Sequence, residues 1–347
     1  MRCGEFRTTY VADEAVFETI YPKIGTGALL VALAVMPWVA TSYWLDVVNR
    51  IGIAIVGAVG LNILTGFAGQ ISIGHAAFLA IGAYATANFG GRLGFPFWAA
   101  LPAAGLVTAL VGMIFGVPSL RLKGLYLAMA TLAAHFIVEF TVTHWDAVTG
   151  GVAGMSVAAP RLGGLALDTD ARIFYLIYAV VILAVAFGRN LFRTRVGRAF
   201  VAIRDRDISA AVMGVNLFRY KLLAFGVSSF YAGIAGGLLA YQAKIITPEN
   251  FPLGVAIDYL AMIIIGGLGS ILGSIYGAVF MTLLPEVLRL SFAAVAGMSP
   301  KLIGAFASIR EGVFGLLIIL FLIFEPDGLA ARWHTVKDYF RVWPFAY

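Results

Sequence analysis

The sequence predicts an all-α, polytopic transmembrane helix bundle of about 8–10 spans, with some spans short or broken and both termini cytoplasmic. Three observations carry that reading. Of the 347 residues, 61% are hydrophobic and only 12% are charged, roughly half the charged fraction of about a quarter found in soluble domains. Apolar runs recur at lengths near the ~20 residues needed to cross about 30 Å of hydrocarbon. Basic residues gather in one place: Arg189–Lys221 holds eight Lys/Arg against two Asp, while the rest of the chain balances at 16 basic and 16 acidic residues. The whole formal excess of +6 therefore sits in one segment.

Taken in order, residues 1–26 carry Glu5, Asp13, Glu14 and Glu18 without an apolar core, so they read as a retained cytoplasmic segment rather than a signal peptide. Residues 27–324 read as one transmembrane domain, with apolar runs at 27–45, 50–66, 71–88, 97–117, 124–142, 172–188, 221–242, 254–268, 271–290 and 308–324. Ten is an upper count, because the runs at 50–66, 71–88 and 254–268 are short or rich in Gly and Pro and so suit broken or re-entrant helices. Residues 143–171 read as an outside, periplasmic loop: Asp146, Asp168 and Asp170 face Arg161 alone, around the Gly-rich stretch Gly150–Gly154. Residues 189–220 read as a cytoplasmic loop and 325–347 as a cytoplasmic tail. Under this alternation the inside segments 1–26, 118–123, 189–221 and 325–347 collect 16 Lys/Arg, against 8 everywhere else. That is the asymmetry expected of juxtamembrane charge.

Several function classes fall away. Cys3 is the one cysteine, so neither a disulfide framework nor a Cys-rich metal site is available. No phosphate-cradling GxxxxGK[ST] and no HExxH occurs, and His75, His135, His144 and His334 are scattered. We therefore expect no catalytic, cofactor-binding or metal-binding residues in this chain; any ATP and Mg would be bound by partner subunits. Gly267–Gly273 resembles a dinucleotide fingerprint loosely, but it lies between apolar helices rather than after a strand, which favours close helix packing. The basic residues flank spans without aromatic interleaving, so no nucleic-acid partner is expected; the lipid bilayer is the expected surrounding.

Two places concentrate polar character. Gly60–Phe78 gathers Asn62, Thr65, Gln70, Ser72 and His75 at membrane depth, where polar groups must face protein or water. They are candidates for a translocation pathway; interhelical hydrogen bonding, worth about 0.6 kcal/mol on average, is the alternative. His75 also suits a hydrogen-bonded core position. Asp258 has no charge partner close in sequence and is a further pathway candidate, with a simple interfacial position as its alternative. Glu286 and Arg289, three apart, should pair along a helix, and Arg310 with Glu311 should sit at the outer end of the last span. Gly66–Phe67–Ala68–Gly69–Gln70 with Gly74 is echoed by Gly266–Gly267–Leu268–Gly269–Ser270 with Gly273. A duplicated, discontinuous helix would produce such an echo, as would ordinary small-residue packing.

The Gly60–Phe78 string, the loop Gly197–Asn216, Ile265–Ser270 and Phe324–Leu329 together resemble the LivM-type permeases of branched-chain amino-acid ABC importers, over roughly residues 27 to 332. The resemblance implies a bacterial inner-membrane subunit paired with a LivH-like second permease subunit, two ABC ATPase subunits and a periplasmic substrate-binding protein. It also implies that a short cytoplasmic helix docks on an ATPase. Ala210–Ala211–Val212–Met213–Gly214 is similar to that coupling motif, with Ser209 where the family usually leads with Glu. Coupling is then expected at Ser209, Ala210, Ala211 and Gly214, with Arg198, Arg204 and Arg206 available to hold carboxylates at the rim. The alternative class is an ion-coupled secondary transporter or channel, for which Asp258 and Glu139 are a thin supply of intramembrane carboxylates.

Overall fold

The computed structural model describes residues 20–342 except 120, 121, 123, 163, 164, 297–300 and 326. Most of the predicted N-terminal segment lies outside the described residues, as do the side chains of Arg310 and Glu311. The chain is a helix bundle. In order it forms α1 (Ile20–Val39), α2 (Ser42–Asn62), α3 (His75–Ala87), α4 (Phe97–Ser119), α5 (Leu125–His144), the single turn α6 (Asp146–Thr149), α7 (Asp170–Arg193), α8 (Arg195–Val212), α9 (Leu217–Ala243), α10 (Leu253–Gly266), α11 (Ile271–Ala296), α12 (Lys301–Phe324) and α13 (Gly328–Val342).

Among the described residues, seven helices are long and apolar enough to cross a membrane: Ser42–Phe67, Phe97–Pro118, Leu125–His144, Asp170–Arg193, Leu217–Ala243, Pro248–Gly266 and Ile271–Ser291. The other apolar runs also become helix. The described apolar parts of α1 and α12 are Ile24–Val39 and Gly315–Phe324. The run at 71–88 is helical only from His75, where the 13-residue α3 begins and continues directly into a π turn at Asn88–Arg92.

α9 stands at the centre and packs on α2, α3 and α4, while α11 packs on α2 and α10. Lipid offers no hydrophobic drive for helices to associate, so close approach has to come from small residues. A Cβ on Gly236 of α9 would fall 1.9 Å from the Leu79 carbonyl oxygen of α3, and one on Gly277 of α11 would fall 1.8 Å from the Met262 carbonyl of α10. Those glycines let the backbones touch. Phe174, Phe225, Leu61, Ile63 and Leu238 fill the interior that results.

The two long connections are more ordered than their composition suggests. Residues 143–171 carry α6, a 3₁₀ turn at Gly151–Ala153, and the short strands β1 (Met155–Ser156), β2 (Arg161–Leu162) and β3 (Leu165–Ala166). β1 pairs antiparallel with β4 (Ile245–Ile246) in the register Met155↔Ile246, which ties this connection to the end of α9. β2 pairs with β3. The stretch 189–220 is mostly helix: α7 continues to Arg193, the Thr194 hydroxyl accepts from Val196 N–H at 3.2 Å to cap α8, and α9 resumes at Leu217. At this end of the bundle, opposite the β1–β4 ladder, α8 meets the connection that follows α10, and that connection meets the start of α13. Gly269 lies against Arg204, and Gly328 lies against Gly267.

Candidate coupling and translocation site

Two interrupted helices face each other at the α8 end. α2 leaves α-helical geometry in a π turn, Ile63–Phe67, in which Ala68 N–H donates to Ile63 at 3.2 Å and Gln70 N–H to Leu64 at 3.0 Å. Gly69 then reverses the chain with φ +68, a conformation open to glycine at no steric cost. Thr65 Oγ1 donates to the Gln70 carbonyl at 3.1 Å and fastens the turn. Opposite, α10 stops at Gly266, and Gly267 and Gly269 adopt φ of +123 and +74 before α11 begins. Asn62 joins the two breaks. Its Nδ2 donates to Ser274 Oγ at 2.7 Å and to the Ser270 carbonyl at 2.9 Å, and its Oδ1 accepts from Gly269 N–H at 2.9 Å. With 1% exposure, Asn62 spends its amide inside the protein.

Beyond the break, Gln70, Ser72 and His75 are all buried. Ile73 N–H donates to Thr131 Oγ1 at 3.0 Å, which holds the non-helical strand of chain against α5. The His75 ring meets Tyr259 of α10 edge-on with centroids 5.1 Å apart. Among the described residues, both amide atoms of Gln70, Ser72 Oγ and His75 Nε2 have no hydrogen-bond partner. Buried polar atoms of that kind call for water or a polar solute. Asp258 stands half-buried beside Tyr259, eight residues and therefore about 12 Å along α10 from Gly266. Sequence reasoning passed over His135, which is buried on α5 with Nε2 3.7 Å from Glu139 Oε2. The i,i+4 spacing of these two on an apolar helix was the signal that could have found them.

α8 divides at Arg206, whose φ of −155 and ψ of 96 break the helix. Its first half buries Ala199, Phe200 and Ile203. Arg204 Nη1 donates to the Gly66 carbonyl at 3.0 Å, and its Nε pairs with Asp205 at 3.0 Å. Arg198 is exposed, with Nη1 3.4 Å from the Arg193 carbonyl. After the kink, Asp207 pairs with the buried Lys221 of α9 at 3.9 Å. Ser209 and Ala211 are exposed and Ala210 is buried. The helix ends with Val215 N–H bonded to Ala210 O and Gly214 N–H to Ala211 O, both 3.0 Å, and with Gly214 at φ +85. This is the Schellman ending that glycine favours. It leaves Val212 and Met213 83% and 84% exposed, next to exposed Ile208 and Phe218. Gly69, Gln70, Arg204, Asp205, Asp207 and Lys221 line a polar cleft behind them.

The predicted site residues thus fall into two groups that touch. Asn62, Thr65 and Gln70 border the α2 break, Arg204 reaches that break from α8, and Ser209–Gly214 form the outward tip. Glu286 and Arg289 pair as expected, at 3.1 Å, but far from this site on α11, where both also bond Tyr43.

A family profile described as "Branched-chain amino acid transport system / permease component" matches residues 43–322. The high-affinity branched-chain amino acid transport system permease protein LivM of Salmonella typhimurium is 32% identical over 336 residues, covering 90% of this chain and 75% of that protein. The probable branched-chain amino acid transport permease protein LivH of Methanocaldococcus jannaschii is 25% identical over 249 residues, 68% of this chain and 76% of its own. The autoinducer 2 import system permease protein LsrC of Salmonella paratyphi B is 27% identical over 204 residues, 55% of this chain and 56% of its own. No solved structure matches the chain significantly.

Proposed function

The chain belongs to the family of branched-chain amino-acid transport permease components, and from that premise we propose that it forms half of the translocation pathway of an ATP-driven importer in a bacterial inner membrane. A LivH-like second permease completes the pathway, two ABC ATPase subunits bind ATP and Mg, and a periplasmic binding protein delivers the substrate. The substrate is a branched-chain amino acid or a related small polar solute. The match to an autoinducer 2 import permease supports that breadth.

The observation that carries this reading is the tip of α8. Ile208, Val212 and Met213 stand exposed on the last turns of a glycine-terminated helix, on a chain whose sequence has no nucleotide-binding loop. An exposed apolar helix end, on a helix that also exposes Arg198 and Arg206, suits a cleft with an acidic rim on an ATPase. This end, with both termini, faces the cytoplasm, in keeping with the basic excess of Arg189–Lys221. Thr65, Gln70, Ser72, His75 and Asp258 provide polar groups toward the path, and Asn62 fixes the breaks beside it. Transport proceeds by alternating access, with the spans rearranging as the ATPases close and open.

Copurification and reconstitution test the reading. The complex should contain both permeases and two ATPases, and proteoliposomes should accumulate leucine only with ATP and binding protein present. Uphill uptake by this chain with no ATPase subunit would overturn it in favour of ion coupling.

A further inference from the structure

Resting on that reading, we infer that Arg204 is the positioning residue through which displacement of α8 moves both helix breaks together. Three contacts carry this. In an α-helix the Gly66 carbonyl would accept from Gln70 N–H, but the π turn sends that N–H to Leu64. Arg204 Nη1 supplies the missing donor at 3.0 Å. On the far side, a Cβ on Gly269 would come within 2.9 Å of the same Nη1. The stem of Arg204 lies on Gly69, where a Cβ would meet its Cγ at 3.0 Å and its Cα at 3.2 Å. One side chain therefore rests on a positive-φ glycine in each break, Gly69 and Gly269, and the Asp205 carboxylate fixes its guanidinium at Nε. Asn62 closes the ring by accepting from Gly269 N–H.

The arrangement has two discrete states, which is what transmission between sites requires. With Arg204 seated, the Gly66 carbonyl is occupied and the last turn of α2 stays π-helical. With α8 drawn away, that carbonyl loses its donor and Gln70 N–H replaces it, so the turn rewinds to α geometry and the segment bearing Gln70, Ser72 and His75 moves with it. π turns at functional sites are suited to such exchange. A plain topogenic arginine would need none of these contacts.

The test uses the complete complex of permeases and ATPases in proteoliposomes, with leucine and its binding protein as the probe. Arg204→Gln should leave assembly and ATP hydrolysis within twofold of wild type while uptake falls at least tenfold. Arg204→Lys, able to reach Gly66 but not Asp205 at the same time, should recover part of the loss. Gly269→Ala should reproduce the defect, and Arg204→Gln/Gly269→Ala should be no worse than either alone. Wild-type stoichiometry of ATP per leucine in Arg204→Gln, or additive losses in the double variant, would overturn the inference. Should a variant fail to assemble, hydrogen exchange on the wild-type complex decides. Vanadate trapping should change protection in 62–71 and 264–273 together with 196–206. A change confined to 196–206 sinks this inference alone; no change in 196–206 sinks the coupling assignment and this inference with it.

Discussion

Asn62 and Ser274, 212 positions apart in sequence, are joined by a 2.7 Å hydrogen bond where the end of α2 meets α11. The same Asn62 accepts from Gly269 N–H, so replacing it strands that donor, while the Ser270 carbonyl keeps its bonds from Ser274 N–H and Ser274 Oγ. An orphaned buried group costs about 1–3 kcal/mol. Asn62→Ala should therefore destabilise the purified protein by about 2 kcal/mol or more, read as a lower melting temperature in detergent. Ser274→Ala, which removes one partner of several, should cost only about 1 kcal/mol.

Close helix packing gives a second, sharper contrast between two glycines. A Cβ on Gly236 would strike the Leu79 backbone, whereas a Cβ on Gly254 meets nothing within 4 Å. Gly236→Ala should cost about 1–3 kcal/mol through overpacking. Gly254→Ala, on an exposed turn of α10, should be neutral or stabilising by up to about 1 kcal/mol. Thermal unfolding of both variants under one condition checks the order; equal losses would show that small residues are not what sets the α3–α9 distance.

The tip of α8 makes a prediction about function without stability. Val212 and Met213 are exposed, so Val212→Asp and Met213→Asp remove no packing in this chain and should leave its melting temperature unchanged. An aspartate placed in an apolar docking cleft is costly. Recovery of ATPase subunits on affinity purification should fall at least tenfold, and uptake with it. Full recovery of the ATPases would place their contact elsewhere.

The spans were legible because each is an apolar run of near-membrane length, and the Glu286–Arg289 pair because its spacing is fixed by the helix itself. The helix α8 was not, because its charge masks any apolar run, although Thr194 before it and Gly214 after it are ordinary start and stop signals. The repeated glycine motifs at 66–69 and 266–269 were visible as an echo. That they are partners in contact was not, since sequence spacing says nothing about which breaks meet across 200 residues. Arg204 reads in sequence as one more basic residue in a basic segment; only the fold gives it the Gly66 carbonyl.

At the start of α13, the Arg332 guanidinium holds the Glu325 carboxyl below its ordinary value of 4.5. A carboxyl depressed in the folded state contributes stability above its unfolded pKa and loses it as pH falls through the folded one. The anchoring of α13 should therefore be constant from pH 8 to about 5 and weaken below about 4.5. Arg332 is exposed and Glu325 only partly buried, so the effect is local and salt-sensitive. Protection of the 328–336 amides relative to their intrinsic exchange rate should fall at low pH in the wild type, and Glu325→Gln should show the lowered protection at every pH. A pH-independent profile in the wild type would exclude the pair as an anchor.

Gly214 separates space from backbone strain. Nothing lies within 4 Å of a Cβ built there, yet its φ is +85, a region that disfavours L side chains by roughly 1–2 kcal/mol. Gly214→Ala should consequently loosen only the Schellman ending of α8, freeing the Ala210 and Ala211 carbonyls and displacing Met213, while the bundle melts as before. Asparagine tolerates this conformation better than other non-glycine residues. Gly214→Asn should thus keep most uptake and Gly214→Ala should lose several-fold, with ATPase recovery following the same order. Equal uptake in the two variants would mean that the shape of the helix end does not matter to the partner, and that the exposed side chains at 212 and 213 act without it.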